Sequence, residues 1–228
     1  VGNGALGANT TGAYNIAVGG ALGANTTGNG NIAMGYDTLA LCTTGSTNVA
    51  IGSFALDALT TASSHTAVGY AALSANTTAA SNTAVGYASL DAATTGGENQ
   101  ALGDQALSAL TTGSHNTGIG SQAGQYGVAL TTGVRNICVG NYAHTSAADS
   151  EKQHVFGYNI AGSADSTFTF GDGTTDTTCT FGGTTWSAPS DVRMKEEIET
   201  STAGLGFIND LRPVTFKWKK EKDIPEEL

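Results

Sequence analysis

The sequence predicts an all-β fold: a solenoid rod of stacked 17-residue coils, followed by a β-rich neck and a small α+β C-terminal segment. Three observations predict it. First, a five-residue phrase ending in glycine recurs, as Asn15-Ile16-Ala17-Val18-Gly19, Asn31-Ile32-Ala33-Met34-Gly35, Asn48-Val49-Ala50-Ile51-Gly52, Asn82-Thr83-Ala84-Val85-Gly86 and Asn136-Ile137-Cys138-Val139-Gly140. Second, the closing glycines (Gly2, Gly19, Gly35, Gly52, Gly69, Gly86, Gly103, Gly120, Gly140 and Gly157) fall 17 residues apart, with one interval a residue short and one three residues long. A fixed period of this size marks a solenoid. Third, 32 glycines in 228 residues with 12% charged residues suit an extended rod when the composition carries a period, and disorder when it does not.

Aligned on the closing glycine, the copies form columns. Four residues before it stand Asn15, Asn31, Asn48, His65, Asn82, Asn99, Asn116 and Asn136, and then Gln153. Side chains stacked about 4.8 Å apart can hydrogen-bond along such an amide ladder and hold the register of the coils. Two residues before the glycine come Ala17, Ala33, Ala50, Ala67, Ala84 and Ala101; one before it come Val18, Met34, Ile51, Val68, Val85, Leu102, Ile119 and Val139. A second apolar pair follows, as in Ala55-Leu56, Ala72-Leu73 and Ala106-Leu107, and then Thr-Thr-Gly or Thr-Thr-Ala, read as a turn. Each coil is thus expected to offer two short strand-like segments and one turn.

Successive strand residues face opposite sides, yet Ala84 and Val85 both belong to apolar columns. One column fills the coil and the other needs cover. Three identical chains around a common axis would supply that cover with closed symmetry; a flat second sheet or a glycan could also cover such a face. The expected state is a homotrimer.

Charge and cysteines bound the function. The formal net charge is −10, and up to Asp149 the only basic residue is Arg135, which argues against nucleic acid as a partner. No long apolar run calls for membrane insertion. Cys42, Cys138 and Cys179 share no metal-ligand spacing, and Cys138 stands in the alanine column as a small apolar residue. No cofactor and no metal are expected. Val1-Gly2 enters in mid-repeat, so the natural chain is expected to begin upstream.

Taken in order, residues 1–157 are the solenoid shaft. The copy after Gly120 carries an insertion around Gly124-Gln125-Tyr126-Gly127-Val128-Ala129, and solenoid insertions map to loops, often on a binding face. Tyr36, Tyr70, Tyr87 and Tyr142 sit next to or near the closing glycine, where they can stack on sugars or pack between coils. His65 and His115 fall in different columns, and His65 reads as a hydrogen-bonded structural residue. Asp37, Asp57, Asp91, Glu98 and Asp104 are scattered over turns, without the acid pair that glycoside hydrolysis needs. Residues 158–189 form the neck, where Thr167-Phe168-Thr169-Phe170-Gly171 and Thr178-Cys179-Thr180-Phe181-Gly182 read as short strands about an Asp172-Gly173 turn. From Ser190 the chemistry changes, with 7 of the 9 basic and 9 of the 19 acidic residues lying in 190–228. Residues 191–200 and 203–210 read as helices, and residues 214–218, after Pro213, as a strand.

Ser190-Asp191-Val192-Arg193-Met194-Lys195, with Gly204-Leu205 and Leu211-Arg212-Pro213-Val214-Thr215-Phe216-Lys217-Trp218-Lys219, resembles the start of the C-terminal intramolecular chaperone domain of phage tail fibres, tailspikes and endosialidases. The resemblance covers about 39 residues, and a whole domain of that family continues into further helices. It implies a segment that trimerises the fibre during folding and then removes itself by cutting the bond before a serine. The family's serine and lysine fall on Ser190 and Lys195, so the implied scissile bond is Pro189-Ser190. A lysine made neutral by burial can serve as the base for a serine hydroxyl; without the family likeness, Ser190 reads as a helix cap and Lys195 as part of a solvated face. The repeats are also similar to the head repeats of trimeric autotransporter adhesins.

The resulting expectation is a structural subunit of a homotrimeric phage tail fibre in the virion, assembled in the host cytoplasm. Its expected partners are other virion tail proteins and a host surface receptor such as a glycan. Two alternatives belong to other classes. A polysaccharide-degrading tailspike would show a carboxylate pair in one groove. A bacterial surface adhesin or ice-binding solenoid would lack the Ser190 to Trp218 motif or show a flat threonine array.

Overall fold

The computed structural model describes residues 2–174 and 176–185. The three residues between each ladder amide and its closing glycine pair with the next copy as a parallel rung, β1 (Ile16–Val18), β2 (Ile32–Met34), β3 (Val49–Ile51), β4 (Thr66–Val68), β5 (Thr83–Val85), β6 (Gln100–Leu102), β7 (Thr117–Ile119) and β8 (Ile137–Val139). β9 (Gln153–Gly157) and β10 (Thr167–Gly171) continue the parallel stack, and β11 (Thr177–Thr180) folds back antiparallel on β10. All eleven lie in one sheet in chain order. No described residue is helical. The parallel register places like on like, with Ala50 beside Ala67 and Ile51 beside Val68. The expected β-solenoid of about 17-residue coils is what forms; its C-terminal α+β segment and the expected helices and strand of 191–218 lie outside the described residues.

The alternation along each strand decides which column goes inside. Ala33, Ala50, Ala67 and Ala84 are fully buried, whereas Met34, Ile51, Leu102 and Ile119 on the outer side remain 38–50% exposed. Facing the alanines across the coil are Leu22, Leu39, Leu56, Leu73, Leu90 and Leu107, all buried. Small residues on one wall and leucines on the other fill an interior one coil wide, as close packing demands.

The second apolar pair is not a strand. The leucine of each pair adopts a left-handed backbone, with φ of 53° at Leu56, 56° at Leu73 and 53° at Leu107. There the chain turns a corner while its N–H still reaches the next coil, from Leu56 to the carbonyl of Ala72 at 3.1 Å and from Leu90 to that of Ala106 at 3.0 Å. A leucine is strained in this conformation, and burial of its side chain, about 1.5–3 kcal/mol, offsets the cost. The closing glycines are held at φ of 124–140° from Gly35 to Gly140, and a Cβ built on Gly86 would run into the carbonyl of Gly103. That explains a glycine, rather than another small residue, at each return of the period.

Candidate functional site

The ladder column acts through the backbone of the neighbouring coil more than through side-chain stacking. Each side-chain oxygen accepts the N–H of the next ladder residue, at 3.0 Å from Asn48 to Asn31, 2.8 Å from Asn99 to Asn82 and 3.0 Å from Asn136 to Asn116. Each Nδ2 donates to a turn carbonyl, from Asn31 to Gly45 at 2.8 Å and from Asn116 to Gly133 at 2.8 Å. Both amide functions are committed, as a fully buried polar side chain requires. Gln153 joins at the end of the column, its N–H donating to Asn136 Oδ1 at 2.9 Å.

His65 does the same work with a ring. Its own N–H donates to Asn48 Oδ1 at 3.0 Å, its Nδ1 accepts from the N–H of Asn82 at 3.2 Å, and its Nε2 lies 2.6 Å from the Ala79 carbonyl. These bonds place the proton on Nε2 and keep the ring neutral. Burial pushes its pKa below the ordinary histidine value.

Threonine supplies a second ladder that the turn reading did not anticipate. The first threonine of each pair donates both its N–H and its hydroxyl to the carbonyl of its counterpart one coil on, Thr26 to Thr43 with the hydroxyl at 3.1 Å and Thr60 to Thr77 with the hydroxyl at 3.1 Å. The second threonine, as at Thr27, Thr44, Thr61 and Thr78, points to solvent.

The outer face of the sheet is chemically distinctive. Its two columns are Ile16, Ile32, Val49, Thr66, Thr83, Gln100, Thr117 and Ile137, and beside them Val18, Met34, Ile51, Val68, Val85, Leu102, Ile119 and Val139. Towards the end of the sheet the face turns aromatic. Phe156 stacks on Phe168 at 5.2 Å, Phe168 lies 6.0 Å from Phe170, and Phe181 meets the His154 ring at 4.7 Å. Ile16, Val18, Met34, Ile51, Leu102 and Ile119 on this face are 38–53% exposed.

The remaining candidates resolve into structure. Tyr36, Phe54, Tyr70 and Tyr87 form a chain of rings 5.6 Å apart. The insertion brings Tyr126 to 4.6 Å from Tyr142, which in turn lies 5.9 Å from Tyr158. His115 pairs with Glu98 at 3.1 Å on the surface. Cys42, Cys138 and Cys179 are buried free thiols, and burial pushes Cys138 up to about 12, which silences it as a nucleophile. Asp57 and Asp91, half-buried, have their carboxyls raised by desolvation, and Asp37 adds to the effect at Asp57. Among the described residues no group of three His, Cys, Asp or Glu is placed to hold a metal.

A family model described as chaperone of endosialidase matches residues 190–227. The match begins at the serine singled out by sequence and takes in Lys195. Pro189, Ser190 and Lys195 lie outside the described residues. No curated protein and no solved structure matches the chain.

Proposed function

We propose that this chain is a structural subunit of a homotrimeric phage tail fibre, in which three copies of the solenoid pack through their outer sheet faces to make a stiff rod. The observation that carries the reading is the pairing of an apolar stripe running from Ile16 to Phe170 with a chaperone-of-endosialidase match that starts soon after it ends. A stripe on one face of a single chain needs a partner, and closed symmetry supplies one without leaving an open end. The match supports a segment that brings chains together while the rod folds. The rod holds other tail proteins at one end and presents a host-surface receptor site along or beyond it.

The same reading assigns Ser190 as nucleophile and Lys195 as its base in a single self-cleavage. The Ser190 hydroxyl adds to the Pro189 carbonyl as Lys195 takes its proton. The Pro189–Ser190 amide bond breaks as Lys195 gives that proton to the Ser190 amine, leaving Pro189 esterified to the Ser190 oxygen, and water then hydrolyses the ester to the Pro189 carboxylate and the free Ser190 hydroxyl. The reaction serves assembly and turns over no substrate.

The test is the intact mass, under denaturing conditions, of the full-length gene product and its Ser190→Ala variant, with sedimentation of each. The expected result is a trimer whose wild-type chains end at Pro189 and whose variant chains stay whole. Whole chains in both would remove the dyad, and a monomeric wild type would remove the fibre reading.

A further inference from the structure

The outer face is not uniformly apolar. In the column that begins with Ile16, Ile32 and Val49, the next four residues are Thr66, Thr83, Gln100 and Thr117, before Ile137 restores the apolar character. The neighbouring column stays apolar at all those levels, through Val68, Val85, Leu102 and Ile119. The four polar side chains point away from the coil interior, and none of them hydrogen-bonds to another described residue. Thr83 and Gln100 line a groove with Val85, Ala101, Leu102 and Ile119. The hydrogen-bonding groups of this belt are thus directed at whatever covers the face.

Resting on the homotrimer reading above, we infer that this belt is the axial register lock of the assembly, and that what it recognises is the same belt in the two other copies. The need for a lock follows from the rod itself. Successive coils are so alike that sliding one chain by a single coil, about 4.8 Å, leaves most apolar side chains facing equivalent ones. From β1 to β8 a slide changes the chemistry at the polar belt, and at the end of the stack it also sets Ile137 against His154. In register, Gln100 meets Gln100 and threonines meet threonines, so amide and hydroxyl groups find donors and acceptors across the axis. After a slide of one coil, Thr66 faces Val49 and Thr117 faces Ile137, each hydroxyl buried against hydrocarbon without a partner. Gln100, the longest side chain of the belt, then falls among threonines. A single polar layer in an otherwise apolar seam sets register in coiled coils in the same way.

Register can be read by disulfide trapping, because a disulfide tolerates Cα separations of only about 4.4–6.8 Å. In the full-length chain, one population carries Leu102→Cys and another Val85→Cys, and the two are co-expressed and oxidised. With the native belt, cross-links are expected between like chains only. In a belt-replaced pair carrying Thr66→Val, Thr83→Val, Gln100→Leu and Thr117→Val, mixed cross-links joining a Val85→Cys chain to a Leu102→Cys chain are expected to rise at least several-fold, with sedimentation still giving trimers. Trimers of the belt-replaced chain that stay wholly in register would overturn the lock while leaving the homotrimer intact. Monomers in the native chain would overturn the homotrimer reading instead. Gln100→Asn, which keeps the amide, is expected to preserve like-with-like cross-linking, and mixed cross-links there at the belt-replaced level would count against the lock as well.

Discussion

In the ladder column, the Nδ1 of His65 stands where an asparagine oxygen accepts from the next coil, and its Nε2–H where an asparagine nitrogen donates to a turn carbonyl. The substitution works only while the ring is neutral, since a proton on Nδ1 would face the N–H of Asn82. The folded pKa is depressed, so the unfolded chain binds a proton more readily. The stability this site contributes is therefore complete above about pH 6.5 and falls as pH drops below it. His65→Asn is expected to reduce the loss of thermal stability between pH 7.5 and pH 5, measured by thermal unfolding of both proteins. Asp57 and Asp91 act with the opposite sign, because their raised pKa values add stability as pH falls; both proteins share them, so the comparison isolates the histidine. Nearby, Asn76 is fully buried with neither amide atom hydrogen-bonded to any described residue. Its equivalents in the coils before and after are Leu59 and Ala93, and Leu110 stands one coil further on. Stranding such an amide costs about 1–3 kcal/mol, so Asn76→Leu is expected to stabilise the protein by about 1 kcal/mol in denaturant unfolding.

At the scale of the coil, each element is a balance between a corner that strains the backbone and a side chain that fills the interior. The longer coil after Gly120 shows how that balance is kept when the period breaks. Gly118 replaces the usual alanine and Gly124 the usual leucine, and the Leu107 side chain of the preceding coil occupies the space. A Cβ on Gly118 would come within 2.7 Å of Leu107 Cγ, and one on Gly124 would strike the Cδ2 atom. The extra residues then bulge outward, with Tyr126 46% exposed, before Leu130 returns to the core. Gly118→Ala is therefore expected to destabilise by about 1–3 kcal/mol through overpacking, even though alanine fills this column in the coils before it, from Ala17 to Ala101. Thermal melts of Gly118→Ala beside the double variant Gly118→Ala/Leu107→Val check the cause, since trimming Leu107 is expected to recover most of the loss.

Across the whole molecule, the parallel strands touch only their sequence neighbours, so stability accumulates coil by coil as in other one-dimensional repeats. Three polar columns reinforce the strand pairing. Besides the asparagine and threonine ladders there is a hydroxyl column, in which Ser63 accepts the N–H of Ser46 at 3.0 Å and Ser114 that of Gly97 at 3.2 Å. The stack ends where β11 reverses direction on β10, so the parallel run closes with a strand that no longer follows the coil. The same neighbour-only logic makes the register of the coils degenerate, and in the proposed trimer the polar belt on the outer face would answer that degeneracy.

The period, the identity of the strands and the division of Ala and Val columns into inner and outer faces were legible in the sequence, because a glycine that cannot tolerate a Cβ recurs at every turn and strand residues alternate sides. The resemblance of residues 190–227 to a chaperone segment was legible for a different reason: its motif is local and specific. The left-handed leucine corner was not, since nothing in Ala-Leu distinguishes a strand from a buried turn until the next coil offers a carbonyl to its N–H. Nor was the destination of the ladder amides, which bond to a neighbouring backbone that stands within reach only once the coils are stacked. Only the tertiary structure decided that the threonine pair splits into a half-buried, hydrogen-bonded residue and an exposed one, that Asn76 is stranded beside the histidine rung, and that the polar side chains of four successive coils face outward without a partner among the described residues. Each of these depends on what lies one coil away in space, about 17 residues away in sequence.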